Sequence, residues 1–294
     1  IINRDKSYLF VDGRYTFQAK EQVDEKAIML LHYNDFSSEL SKNFRKEKCV
    51  ALDPKLHSIE EVIKMIELAK KNKTKLYFTE SNIIDELWKN RPQREYGTIF
   101  DHPKKFAGID SSKKLDNVMK LLKKNNLDSY FFSSLDSIAW LLNIRGHDIS
   151  YTPLAFAYLL ISLDSKPILY LSVNKLDPVL KLRLGNFLDL KPIEEIDIIF
   201  KNLKRNLKIG FDFKNTSYYF YNLALINNHT PKYLENPCLL SKATKNIVEI
   251  EGSKKAHIRD GVSITKFLYW LKNHENIEKE TEISVANKLL DLRK

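Results

Sequence analysis

Apolar residues recur along the chain in two rhythms, short unbroken runs and stripes at every third or fourth position, and their alternation predicts strands interleaved with helices. A first α/β unit opens on a strand over residues 7–11 and continues as a helix through Gln22. It returns as a strand carrying Ile28, Leu30 and Leu31. KCVALD is short, apolar and compatible with a strand. Ser58 precedes IEEVIKMIELAKK, where Ile59, Val62, Ile63, Ile66 and Ala69 fall at helical spacing behind an N-cap, with acids in the first turn. KLYFTE reads as another strand, and a short helix over residues 83–88 ends at Asn90-Arg91-Pro92.

From residue 91 to 112 the pattern turns irregular, with Pro92, Gly97, Pro103 and Gly108, which marks the best domain boundary. A second unit starts with an amphipathic helix over residues 113–125, striped by Leu115, Val118, Leu121 and Leu122. The strand DSYFF and the helix SLDSIAWLLN follow. LAFAYLLISL and KPILYLSV, joined by Asp164-Ser165-Lys166-Pro167, read as a hairpin inside a sheet. Helices near residues 175–184, 193–206 and 217–228 and strands near 188–190 and at KIGFDF complete the unit, and residues 231–237 read as a second linker. Beyond it a long helix over residues 245–272 carries Ile247, Ile250, His257, Ile258, Gly261, Val262 and Thr265 on one side. Thr281 caps a further helix, TEISVANKLLDLRK, and the pair reads as the opening of another domain.

The 294 residues are 43% hydrophobic, enough to pack cores. Residues 149–163, the longest uncharged run, contain Pro153 and are too short for a membrane span. The formal charge of +10 invites a nucleic-acid reading, but the lysines are spread as pairs such as Lys70-Lys71 and Lys254-Lys255, without an aromatic-interleaved stretch, so a solvated surface is the expectation. Cys49 and Cys238 stand far apart, which suits a reducing cytoplasm.

Candidate chemistry is sparse. No HExxH, zinc-spaced cysteine pair, calcium loop, Gly-rich phosphate cradle or GxSxG occurs. His147-Asp148, and His257 with Asp260, are weak pairs of potential metal ligands better read as structural. Ser134 and Asp136 are expected to cap the helix that follows them. At Arg145-Gly146-His147-Asp148, a Leu- and Trp-rich helix is expected to stop on the glycine as a left-handed C-cap. At Asp12-Gly13-Arg14-Tyr15, a strand turns into a helix, with Asp12 capping and Arg14 on the surface.

YLFVDGRYTFQAKEQVD, ELWKNRP with HPKKFAG after it, DSIAWLLNIRGHDISYTP, and KATKNIVEIEGSKKAHIRDGVSITKFLYWL followed by TEISVANKLLDLR together resemble the three-domain form of Xaa-Pro aminopeptidase, also called aminopeptidase P. The resemblance implies an α/β fold with two creatinase-like domains, each a mixed sheet covered by helices, at residues 1–100 (incomplete at its start) and 113–236. Residues 242–294 would be the truncated start of a pita-bread catalytic domain. It implies hydrolysis of the bond between an N-terminal residue and a following proline, using two divalent metal ions, usually manganese, held by two Asp, one His and two Glu. Those ligands follow the TEIS helix in the family, so no catalytic or metal-binding residue is assigned here and this chain is expected to bind no metal. The arginine of DGRY carries over as a substrate-binding residue, Arg14, whose fork can hold a carboxylate or carbonyl, with Gly13 allowing a tight turn. The implied partners are an Xaa-Pro peptide, a second copy in a homodimer and a separately encoded catalytic half, in the cytoplasm, with no nucleic acid and no membrane. The alternative is a non-catalytic remnant or binding module of the same fold.

Overall fold

Strand β1 (Ser7–Val11) pairs in parallel with β2 (Ile28–His32), Val11 opposite His32, in the computed structural model of the chain, which describes residues 1–204 and 206–294. Between them a 3-10 turn at Gly13–Tyr15 leads into α1 (Thr16–Gln22). Then come α2 (Phe36–Lys46), β3 (Cys49–Leu52), α3 (Ile59–Asn72), β4 (Lys75–Phe78) and α4 (Ile83–Leu87), with β3 and β4 again parallel. The start of α3 is set by a capping box: Ser58 Oγ accepts the Glu61 N–H at 3.3 Å, and the Glu61 carboxylate accepts the Ser58 N–H at 2.9 Å. Ile59, Val62, Met65 and Ala69 are its buried stripe.

The chain continues through β5 (Ile99–Asp101), α5 (Lys104–Ala107), α6 (Ser111–Lys124), β6 (Ser129–Phe132), α7 (Leu135–Leu142) and β7 (Ile144–Gly146). β8 (Ala157–Ser162), β9 (Ile168–Leu171), α8 (Pro178–Gly185), β10 (Asp189–Pro192) and β11 (Lys208–Phe211) follow. Next are α9 (Tyr218–Ile226), β12 (Thr230–Tyr233), α10 (Leu239–Ala243), α11 (Ile247–Lys272) and α12 (Glu282–Arg293). Two units result. One is Ile1–Arg94 with Asp212–Asn227, so that α9 returns to the first unit and the Tyr218 ring stacks on Phe78 at 5.0 Å. The other is Glu95–Phe211 with Asn228–Lys294.

A mixed sheet in the order β10-β9-β8-β6-β11-β12 forms the centre of the second unit. β8 pairs antiparallel with β6 and β9, and the remaining neighbours are parallel. Its inner strands are apolar without alternation because both faces are covered, and Phe131, Phe132, Leu159, Leu160, Leu169, Leu171, Ile209 and Phe211 are all buried.

Several expectations need correction. Residues 231–237 are not simply a linker: Thr230–Tyr233 pairs with β11, and Pro231 is tolerated because β12 is an edge strand. The helix expected over residues 193–206 is only a 3-10 turn at Ile193–Ile198, where β-branched isoleucines disfavour a longer α-helix; Arg205 lies outside the described residues. Within the irregular stretch, Ile99–Asp101 forms β5 and pairs antiparallel with β7. Gly146 lies in that β7 and caps no helix. α7 ends on Asn143, which takes the left-handed conformation (φ 52°), while Gly146 is required because a Cβ there would come within 2.7 Å of Ala155 Cβ.

Candidate functional site

Arg14 stands where β1 ends, and its turn is built by Asp12. The Asp12 carboxylate accepts the Arg14 backbone N–H at 2.9 Å, Arg14 Nε at 3.2 Å and Arg14 Nη2 at 2.7 Å. The guanidinium carbon lies 5.6 Å from the Tyr15 ring centre. These hydrogen bonds hold the Asp12 carboxyl below its ordinary range and raise the Arg14 guanidinium above its own. One edge of the fork is thereby fixed, while the Arg14 side chain is 80% exposed. Gly13 does not have the role expected of it: its φ is not positive and a Cβ would meet nothing within 4 Å.

The second unit holds a cavity of about 840 Å³ walled by α7, Arg145 of β7, α5 and the start of α11. Arg145 is half-buried and its Nη1 donates to Ile144 O at 2.8 Å and Ala139 O at 3.3 Å; burial pulls its proton affinity below the ordinary arginine value. The rest of the Arg145–Asp148 loop is structural. His147 stacks on Phe100 at 4.9 Å, and Asp148 accepts the N–H groups of Gly97 at 2.6 Å and Phe156 at 2.7 Å, clamping two chain segments. Neither Ser134 nor Asp136 caps α7 as expected. Ser134 is the N-cap residue but makes no side-chain cap bond, and Asp136 accepts the adjacent Ser137 N–H and pairs with Lys242. His257 meets Ser253 O and Asp260 pairs with Arg293 at 2.7 Å, so the two do not act together.

Sequence reasoning passed over Lys114. It is only 3% exposed, lies 4.1 Å from the centre of the Trp140 ring, and donates to Trp140 O at 2.7 Å and Asn143 Oδ1 at 2.8 Å. Desolvation pushes its pKa down to about 8, while burial pushes the nearby Cys238 thiol up to about 12. The only signal was position: Lys114 precedes Leu115 in the buried stripe of α6. Among the described residues no three His, Cys, Asp or Glu side chains converge to hold a metal ion, so these residues do not fit a two-metal centre. No described helix is long and apolar enough to cross a membrane.

Comparison with known proteins places this geometry. The creatinase/prolidase N-terminal domain profile matches residues 90–249. A probable Xaa-Pro aminopeptidase P of Paracoccidioides lutzii is 31% identical along 100% of the chain, and one of Coccidioides posadasii is 32% identical along 100%; in each, the match covers 50% of the relative. The chain thus spans about half the length of the curated relatives it matches. A crystal structure of X-prolyl aminopeptidase from Caenorhabditis elegans, described as a cytosolic enzyme with a di-nuclear active site, superposes with a TM-score of 0.88 at 26% identity, over 99% of this chain and 49% of that one. With the profile matching more than half of the chain, most of it in the second unit, the chain belongs to the creatinase/prolidase N-terminal domain family.

Proposed function

We propose that this chain is the substrate-access part of a metal-dependent Xaa-Pro aminopeptidase, with Arg14 gripping the peptide and the metal ligands supplied by other polypeptide. The observation that carries the reading is the alignment of Xaa-Pro aminopeptidases P along 100% of the chain. Two features support the division of labour. Arg14 is exposed on a turn fixed by Asp12, ready to meet a peptide carbonyl or carboxylate. The α11 helix exposes Ile247, Ile258, Val262, Leu268 and Tyr269, an apolar surface that a catalytic portion would cover.

The bond in question is a tertiary amide beside a rigid ring, so alignment of the peptide is a large part of the task. A pair of divalent ions, manganese in this reading, would supply a hydroxide and polarise the carbonyl, and no step is assigned to it within these residues. The reading carries a cytoplasmic homodimer as well, the location being that described for the nematode enzyme. The test combines the chain with a catalytic portion and compares wild type with Arg14→Ala and Arg14→Lys. KM for an Xaa-Pro peptide should rise about tenfold or more in the alanine variant and be only partly restored by lysine, which lacks the fork. Unchanged kinetics in both variants would remove Arg14 from the site.

A further inference from the structure

We infer that the cavity of the second unit is a binding site for a small oxyanion carrying at least two phosphate or carboxylate groups. Six cations stand on its wall: Lys105, Arg145, Lys242, Lys245, Lys255 and Arg259. It also has three carboxylates, and each is already engaged. Asp136 pairs with Lys242, Glu251 pairs with Lys254 at 2.8 Å, and Glu249 accepts the Asn246 N–H at 3.0 Å. Lys105, Arg145, Lys245, Lys255 and Arg259 make no ion pair within 4.0 Å among the described residues. An excess of cations along a concavity attracts counter-ions of the opposite sign.

One group on the wall bears on an oxygen-bearing ligand in particular. Arg145 is half-buried, its guanidinium is hydrogen-bonded to backbone carbonyls, and Glu249 acts on its charge without forming an ion pair with it. The helix terminus of α11 is not the attraction, because Asn246 Oδ1 already accepts the N–H groups of Val248 at 2.9 Å and Glu249 at 3.0 Å. His102 and Lys242 both titrate below their ordinary values, chiefly through burial and then through neighbouring cations, Arg145 and Lys114 for the one and Lys245 for the other. About 840 Å³ accommodates a ligand of ordinary metabolite size, with Ala139, Trp140 and Leu154 as an apolar wall for an organic body. This inference stands on charge and burial in the second unit and does not depend on the peptidase reading.

Calorimetric titration of tripolyphosphate and of citrate into the complete chain tests it, with tryptophan emission followed in parallel. At least one of the two should bind saturably at one site, and the tighter one assigns the charged group as phosphate or carboxylate. Binding should weaken about tenfold or more in the exposed double variant Lys245→Glu with Lys255→Glu, and in Arg145→Met checked for retained fold by circular dichroism. Failure of both anions to saturate, or insensitivity to the double variant, would overturn the site. So would an equal weakening by the control pair Lys70→Glu with Lys71→Glu on α3, since that would reduce the effect to general lysine charge.

Discussion

The central sheet of the second unit and the helices α11 and α12 that end the same unit draw on similar apolar residues, but they dispose of them oppositely. In the sheet, all four residues of β6 and most of β8 and β9 are buried. In α11, of 26 residues, Ser263 alone is buried, while Ile258 is 68% and Tyr269 73% exposed. Periodicity announces which face of an element is apolar; only a partner determines whether that face is hidden. The difference teaches that the sheet hides its apolar faces within these residues, while the two helices leave much of theirs exposed.

The comparison can be broken by truncating one side chain in each region. Phe131→Ala opens a cavity among Phe200, Phe211 and Tyr158 and should lower unfolding stability by about 3–5 kcal/mol, whereas Ile258→Ala should change it by about 0.5 kcal/mol or less, both measured by urea denaturation. A large loss at Ile258 would mean that α11 is already covered.

A buried charge sharpens the same contrast. Lys114 has a folded pKa of about 8 against 10.5 unfolded, so below pH 8 it is charged in both states and the desolvation penalty, about 3 kcal/mol, is fully present. Above pH 8 the unfolded chain binds the extra proton, and stability should rise by up to about 1.4 kcal/mol per pH unit. The cleanest window is pH 8 to 9. Beyond it Cys238, whose thiol is held up to about 12 from 9.0, acts in the opposite direction, because the folded chain then retains the extra proton. Lys114→Met should flatten the rise between pH 8 and 9, read from denaturation midpoints; an unchanged slope would show that Lys114 stays charged.

Smaller effects lie at element starts. Asn246→Ala removes the cap of α11 and the 2.9 Å bond to Ala107 O, and should reduce stability by about 1 kcal/mol. Gly13→Ala meets no atom and removes freedom from the unfolded chain, so it should be neutral or stabilising by up to about 1 kcal/mol, as followed by thermal denaturation. A loss there would show that the turn depends on glycine after all.

How much could be read beforehand follows the same division. Strands such as Ser7–Val11 and the β8–β9 hairpin were legible because apolar runs and turn residues are local signals. The capped starts of α3 and α12 were legible from Ser58 and Thr281. β12 was not, because its proline reads as a breaker until its edge position is known. Gly146 was misread because the loop leading to β8 folds Ala155 back against it, which no residue pattern around the glycine announces. Arg14 was singled out by resemblance, and Asp12 as its partner was within reach of turn chemistry. Lys114 and the unpaired cations of the cavity were illegible, since a buried or converging lysine looks like any other until the fold brings its neighbours together.

The central claim is that these residues receive a peptide while the reactive centre is built elsewhere. Its most direct test is hydrolysis of an Xaa-Pro peptide with manganese, first by this chain and then after adding polypeptide that carries two Asp, one His and two Glu as metal ligands. The account predicts no release above the blank in the first case and release in the second; turnover by the 294 residues without that addition would contradict it.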